Sequence, residues 1–347
     1  YQITLYCAQF AALQTLLEKI KQEQQRLLDN NHIFNVYKIS DKFFDYSNRI
    51  VGLSTFDSGR KFIIATSSGL YVSNAKKSSQ TKRVMLSAPI KLLAKANIQQ
   101  ISVLEEYKIL LILMDKKLYS FELELLNDLV NSSAASSLQF FKKYSKELMT
   151  HVNFFNEGEC CDKKLIVTAH GSSHVIKFFE LSNQIRGNAS SHSTSSSKNG
   201  GKTSGTGIGG SHGFMSKSNT NNKLSKSKLK ITEVNFESEP VSISFLKNNL
   251  CIGCKKGFQI VSVTQNAHEP LLDPADTSLE FALKDMLKPM EIYRVGNNFL
   301  LCYQEFAFFV NSQGWRKKES HIIFWEGVPQ KFAMWYPYIL AFDSNFI

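Results

Sequence analysis

Cys251-Ile-Gly-Cys254 has the spacing of a redox dithiol or of half a tetrahedral zinc site, so it is the first place in these 347 residues to look for chemistry. No second CxxC exists, and the pair lies in an apolar, strand-like run, where residues three apart point to opposite faces. His170 and His174 would share one face of a helix and offer two imidazoles to a metal, but Gly171-Ser-Ser between them reads as a hairpin turn. A glycine-rich stretch contains GxGxxG at Gly205, Gly207 and Gly210, with Gly201, Lys202 and Thr203 just before it. Phosphate cradling needs a strand before and a helix after such a loop, and a Walker loop needs glycine where Ser196 stands. Glu105-Glu106 reads as a solvated turn. No HExxH, nucleophile elbow or repeated Ser-x-Asp-x-Gly box occurs. These residues predict no catalytic, cofactor-binding or metal site, and the chain is expected to act through its surfaces rather than as an enzyme.

Composition narrows what those surfaces do. A chain of this length buries a sizeable core unaided, and 43% hydrophobic residues with 26 phenylalanines describe a folded protein. No apolar run approaches the roughly 18 residues that span a bilayer, and Tyr1-Gln-Ile-Thr4 has neither the basic start nor the apolar core of a secretory signal. The chain therefore reads as a piece of something longer. Cys7, Cys160, Cys161, Cys251, Cys254 and Cys302 lack any framework spacing, which predicts small buried hydrophobes in a reducing, intracellular setting. The net charge of +11 suggests nucleic acid until it is located: Arg186, Lys198, Lys202, Lys217, Lys223, Lys226, Lys228 and Lys230 share one segment free of Asp and Glu. Without those eight, 33 basic residues face 30 acidic ones, a net +3, so no nucleic-acid surface is expected.

The elements that must position any surface are mostly strands. Tyr1 to Cys7 alternates as a strand, and Phe10, Leu13, Leu16, Leu17, Ile20, Leu27 and Leu28 then form a helical stripe ending at Asp29-Asn-Asn31. From Ile33 onward there is no further long helical stripe. One hairpin recurs instead, beginning at Lys61, Lys108, Lys164, Asn249, Asn298 and Tyr338, each copy preceded by another short strand. The intervals are 47, 56, 85, 49 and 40 residues. The long one contains Gly187 to Ser227, 41 residues almost wholly of Ser, Gly, Asn, Lys and Thr, a composition that predicts disorder; without them it becomes 44. A four-stranded unit repeating at that interval predicts a β-propeller, since ring closure hides sheet edges. Tandem sandwiches are the alternative, but they would show strand pairs without one repeating hairpin.

The ending, FFVNSQGWRKKESHIIFWEGVPQKFAMWYPYILAFDSNFI from Phe308, carries Trp315, Trp325 and Trp335. Together with Gly69-Leu-Tyr-Val72 and the Ile101 to Leu113 run before Leu118-Tyr119, it resembles the citron homology domain of fungal Rho guanine-nucleotide exchange factors. The N-terminal strand and helix resemble the end of a pleckstrin homology domain, with leucines where that helix commonly has tryptophan.

The resemblance implies residues 1–31 as the pleckstrin remnant and 32–347 as a seven-bladed propeller, six blades being visible and closure incomplete, with a disordered insert at 187–227. It implies a regulatory, non-catalytic module that contacts a Rho-family GTPase or regulates exchange, in cell-wall integrity and cell-polarity signalling. The expected location is cytoplasmic, at the plasma membrane or cell cortex, with the basic insert and pleckstrin domain as possible contacts to anionic membrane. Related propellers in a Ste20-type kinase or a vesicle-tethering scaffold are the alternative reading. The tryptophans are expected to anchor blade packing, and Trp315 with Arg316 is the candidate contact surface.

Overall fold

The computed structural model describes residues 9–30, 43–77, 84–94, 96–131, 137–181, 229–284, 286–344 and 346–347. The strand expected at Tyr1 to Cys7 and the insert at 187–227 lie outside them. Helix α1 (Phe10–Asn30) forms where the apolar stripe predicted it.

The first five predicted hairpins are present, each in its own antiparallel sheet; of the sixth, the strand from Tyr338 is present, paired with the short strand predicted before it. The first sheet comprises β1 (Ile50–Phe56), β2 (Lys61–Thr66) and β3 (Gly69–Lys77), with β4 (Val84–Leu86) and β5 (Ile90–Ala94) both pairing with β3. The second runs β6 (Ile98–Leu104), β7 (Ile109–Met114), β8 (Lys117–Glu122), β9 (Lys146–Thr150). The third is β10 (Phe154–Cys160), β11 (Lys163–His170), β12 (Val175–Glu180), β13 (Thr232–Asn235), and the fourth β14 (Pro240–Phe245), β15 (Asn249–Cys254), β16 (Gly257–Ser262), β17 (Ala267–Pro270). The fifth is β18 (Pro289–Val295), β19 (Asn298–Tyr303), β20 (Phe306–Val310), β21 (Ile323–Phe324), and the sixth pairs β22 (Lys331–Trp335) with β23 (Tyr338–Phe342).

The second strands are continuous apolar runs for a physical reason. The second to fifth sheets are each covered on both faces by their neighbours, so alternation is lost: all six residues of β7, Ile109 to Met114, are buried. Leu110 and Ile112 face the first sheet, and Leu111 and Leu113 the third. Two short helices, α2 (Leu126–Asn131) and α3 (Ser137–Tyr144), interrupt the second sheet between β8 and β9. They are too short to show as a long stripe. Their buried Leu129 and Phe141 fill the groove between the first two sheets, with the Phe141 ring 5.3 Å from Phe121.

The first strand of each sheet lies beside the first strand of the next, from β1 through β22. Contacts between them advance in step. Gln100 Nε2 donates to the Phe155 carbonyl (2.6 Å) while Ser102 Oγ donates to Glu157 Oε1 (3.2 Å); Ser242 Oγ donates to the Pro289 carbonyl (3.0 Å) while Ser244 Oγ donates to Glu291 Oε1 (2.5 Å). Asn156 Nδ2 likewise donates to the Ile243 carbonyl at 2.8 Å, and Ser54 Oγ accepts from Val103 N at 3.1 Å. These strands therefore run parallel around a common axis. Every first-to-second-strand turn lies on one end of the molecule, and every second-to-third-strand turn on the other.

Candidate interaction surfaces

Along the axis, the inner strands of the second to sixth sheets present one polar residue seven or eight positions before each hairpin, Gln100, Asn156, Ser242, Glu291 and Lys331, where the first sheet has Gly52. Bulges after Ile50, Ile98, Pro240 and Pro289 re-aim these strands. An axial cleft of about 350 Å³ opens among Gln100, Asn156, Ser242, Glu291, Lys288 and Lys331. Most of its polar groups are spent on neighbouring strands, as the hydrogen bonds above show, so the belt ties sheets together. The sequence reading missed it, although the recurring polar position was visible beside those hairpins.

Glu291 is a half-buried carboxylate of the belt. Desolvation raises its pKa, and the hydrogen bond from Ser244 only partly offsets this. A carboxylate whose folded-state pKa is raised favours the protonated fold, so its stabilising contribution is present at acid pH and is lost as pH climbs through and above the ordinary carboxylate range. Glu291→Gln keeps an acceptor for Ser244 and removes the charge. The variant is expected to melt higher than the parent at pH 7, with the gap closing near pH 4. Thermal melts across that range check it, and a gap that widens towards acid contradicts the assignment.

The residues with apparent chemistry are placed apart. Cys251 belongs to the core shared with the fifth sheet and Cys254 to that shared with the third, so the CxxC splits across the two faces of β15. Burial pushes the Cys254 thiol up to about 12 and also raises Cys251. His170 is buried, with Nε2 3.1 Å from Thr168 Oγ1, and its pKa is lowered by burial and by Lys177. His174 closes a 3₁₀ turn over Gly171–Ser173 in a left-handed conformation (φ 52°). Glu105 and Glu106 form the short turn before β7. Among the described residues, no group of three or more His, Cys, Asp or Glu side chains is arranged to hold a metal. The glycine motifs at 201–210 lie outside the described residues.

Trp315 and Arg316 pin the connection between the fourth and fifth sheets. Trp315 Nε1 donates to Asp273 Oδ2 (3.0 Å), Arg316 N donates to Asp276 Oδ2 (2.8 Å), and the Arg316 guanidinium lies 5.2 Å from the Phe281 ring centre. Asp276 also caps Thr277–Ala282, and these hydrogen bonds, led by that from Ser278, hold its carboxyl below the usual range. What Trp315 leaves to solvent is part of its indole. Trp325 is the packing anchor: Nε1 donates to the Tyr303 carbonyl (2.9 Å), and the ring sits 5.1 Å from Phe332 of the sixth sheet. Trp335 is 70% exposed and anchors nothing among the described residues.

Sheets stacked face to face around an axis, with their variable turns gathered at two ends, define a β-propeller whose working parts are its surfaces. The family model of the CNH domain matches residues 58–347, and the chain belongs to that family. It is 60% identical, over 352 aligned positions, to the RHO1 GDP-GTP exchange protein 2 of Saccharomyces cerevisiae, and 37% identical to the Rho1 guanine nucleotide exchange factor 1 of Schizosaccharomyces pombe. Both alignments cover 100% of this chain and 24% of the relative, so the chain spans about a quarter of each relative's length. The solved AfRom2 CNH domain superposes with a TM-score of 0.65 at 30% identity, covering 89% of this chain and 83% of that one.

Proposed function

We propose that this domain is a non-catalytic regulatory module of a Rho guanine-nucleotide exchange factor, which binds a Rho-family GTPase or regulates exchange by the neighbouring catalytic domain. The observation that carries this reading is the 60% identity, along the whole chain, to a protein named for RHO1 GDP-GTP exchange. A propeller suits the role because its rigid sheets hold two broad ends of turns that vary without disturbing the core. Cell-wall integrity and polarity signalling at the cell cortex, a pleckstrin remnant at 1–31 and a seventh blade belong to the same reading. For the last, the exposed Leu53 of β1 and the 700 Å³ cleft between β1 and the sixth sheet are the supporting features. A second contact, to anionic membrane through the basic insert, is also part of it.

The test is a pull-down of this chain with a Rho-type GTPase loaded with GDP or with a non-hydrolysable GTP analogue. Retention in at least one nucleotide state is expected. No retention in either, together with unchanged exchange by the longer protein after the propeller is removed, overturns the proposal.

A further inference from the structure

Three serines follow a pair of lysines at the same interval: Lys76-Lys-Ser-Ser79, Lys142-Lys-Tyr-Ser145 and Lys317-Lys-Glu-Ser320. Two cations two and three residues before a hydroxyl are what a basophilic serine/threonine kinase reads, because carboxylates beside its active site pair with them and aim the hydroxyl at ATP. The fold treats the copies differently. Ser79 lies outside the described residues. Ser145 directly follows α3, and its Oγ is buried with no hydrogen-bond partner among the described residues, so no kinase reaches it while that helix stays packed.

Ser320 stands in the connection between β20 and β21. Arg316 bridges to Val310 and Lys317 N donates to the Phe309 carbonyl (2.9 Å), but from Lys318 to Ile322 no strand pairing holds the chain among the described residues. One backbone hydrogen bond, from Ser320 N to the Lys317 carbonyl (3.0 Å), closes the turn over Lys318 and Glu319. Extending the turn into a kinase cleft breaks that one bond. Ser320 is partly exposed, and its Oγ makes no hydrogen bond among the described residues. Lys318 is exposed and Lys317 partly so, and neither forms an ion pair among the described residues. Arg316 is already engaged by Phe281 and Asp276, in the connection between the complete fourth and fifth sheets. The two lysines are left for recognition.

We propose that Ser320 is a phosphorylation site for a basophilic serine/threonine kinase, read through Lys317 and Lys318. In the transfer, Ser320 Oγ bonds to the γ-phosphorus of magnesium-bound ATP as the bond from that phosphorus to the β,γ-bridging oxygen breaks; ADP leaves, and the hydroxyl proton passes to a carboxylate of the kinase. The phosphate brings about −1.5 to −2 charges to a stretch in which three basic residues, Arg316, Lys317 and Lys318, face one acidic residue, Glu319, so a net +2 falls to about zero. The outer part of the fifth sheet thereby becomes a charge switch.

Incubation of this chain with magnesium ATP and the catalytic subunit of a cAMP-dependent kinase, followed by phosphopeptide mass spectrometry, tests it, with synthetic peptides 139–148 and 314–323 as unfolded references. Both peptides are expected to be phosphorylated, whereas in the folded chain Ser320 takes phosphate and Ser145 does not. Lys317→Ala/Lys318→Ala should slow phosphorylation of Ser320 roughly tenfold or more. Lys142→Ala/Lys143→Ala should leave that rate unchanged. Ser320→Ala should remove the Ser320 phosphopeptide and keep the thermal melt of the parent. A Ser320 that stays unmodified in the folded chain overturns the proposal, as does modification at a rate that replacing Lys317 and Lys318 does not change. Equal phosphate on Ser145 and Ser320 in the folded chain also overturns it, since burial would then not select the site.

Discussion

Tyr303→Phe is expected to leave the fold as stable as it is or to stabilise it by about 1 kcal/mol, while Tyr303→Ala costs about 3–5 kcal/mol. The ring is fully buried, 5.2 Å from Phe258, 5.1 Å from Phe306 and 6.0 Å from Phe308, and its backbone carbonyl receives the Trp325 indole that joins the fifth and sixth sheets. Alanine removes those contacts and leaves a cavity at the centre of the fourth and fifth sheets' shared core. The phenol oxygen, however, is buried without a hydrogen-bond partner among the described residues, and burial raises its pKa. Removing the hydroxyl relieves that desolvation cost and keeps the packing. Chemical denaturation of the two variants checks both signs, and a Tyr303→Phe loss of more than about 1 kcal/mol would show that the hydroxyl is satisfied.

Gly253→Ala is expected to destabilise by about 2–4 kcal/mol, a large effect for one methyl group. A Cβ at this position would lie 2.2 Å from Ser242 Oγ and 2.7 Å from the Pro289 carbonyl oxygen. Backbone cannot swing aside as a flexible side chain does. The alanine must push β14 from β18, and with it goes the Ser242 to Pro289 hydrogen bond. Native-state hydrogen exchange should show the amides of β14 and β18 losing protection first, before those of β7 in the second sheet. A loss below 1 kcal/mol with protection intact there would mean that the fourth and fifth sheets are joined more loosely than their geometry indicates.

Of the surfaces, less was readable. The basic segment and the all-β ending stand out in composition, yet nothing in the string says that Trp325 donates into the fifth sheet while Trp335 stays in solvent. Equal spacing hid unequal roles. Trp325 lies in the connection between sheets, beside the Tyr303 carbonyl, and Trp335 closes a hairpin with no sheet beyond it among the described residues. Trp315 and Arg316 are adjacent aromatic and basic residues of the kind that mark a contact surface, but both serve Asp273 and Asp276 from a connection forty residues away. Such pairings depend on which turns the ring brings together, and sequence separation carries no trace of them.

The sequence alone determined the repeating hairpins, their order and the propeller they build. Short-range rules suffice for that: apolar runs with turn residues between them make hairpins, and a hairpin buried on both faces must stack on its neighbours. It also placed Cys251 and Cys254 on opposite faces of one strand, because strand geometry alone separates residues three apart. Only the tertiary structure decided which polar residues tie the inner strands into a belt and which tryptophan joins two sheets. Those are consequences of closing sheets around an axis, where residues from different blades meet at distances set by register and strand direction rather than by spacing along the chain.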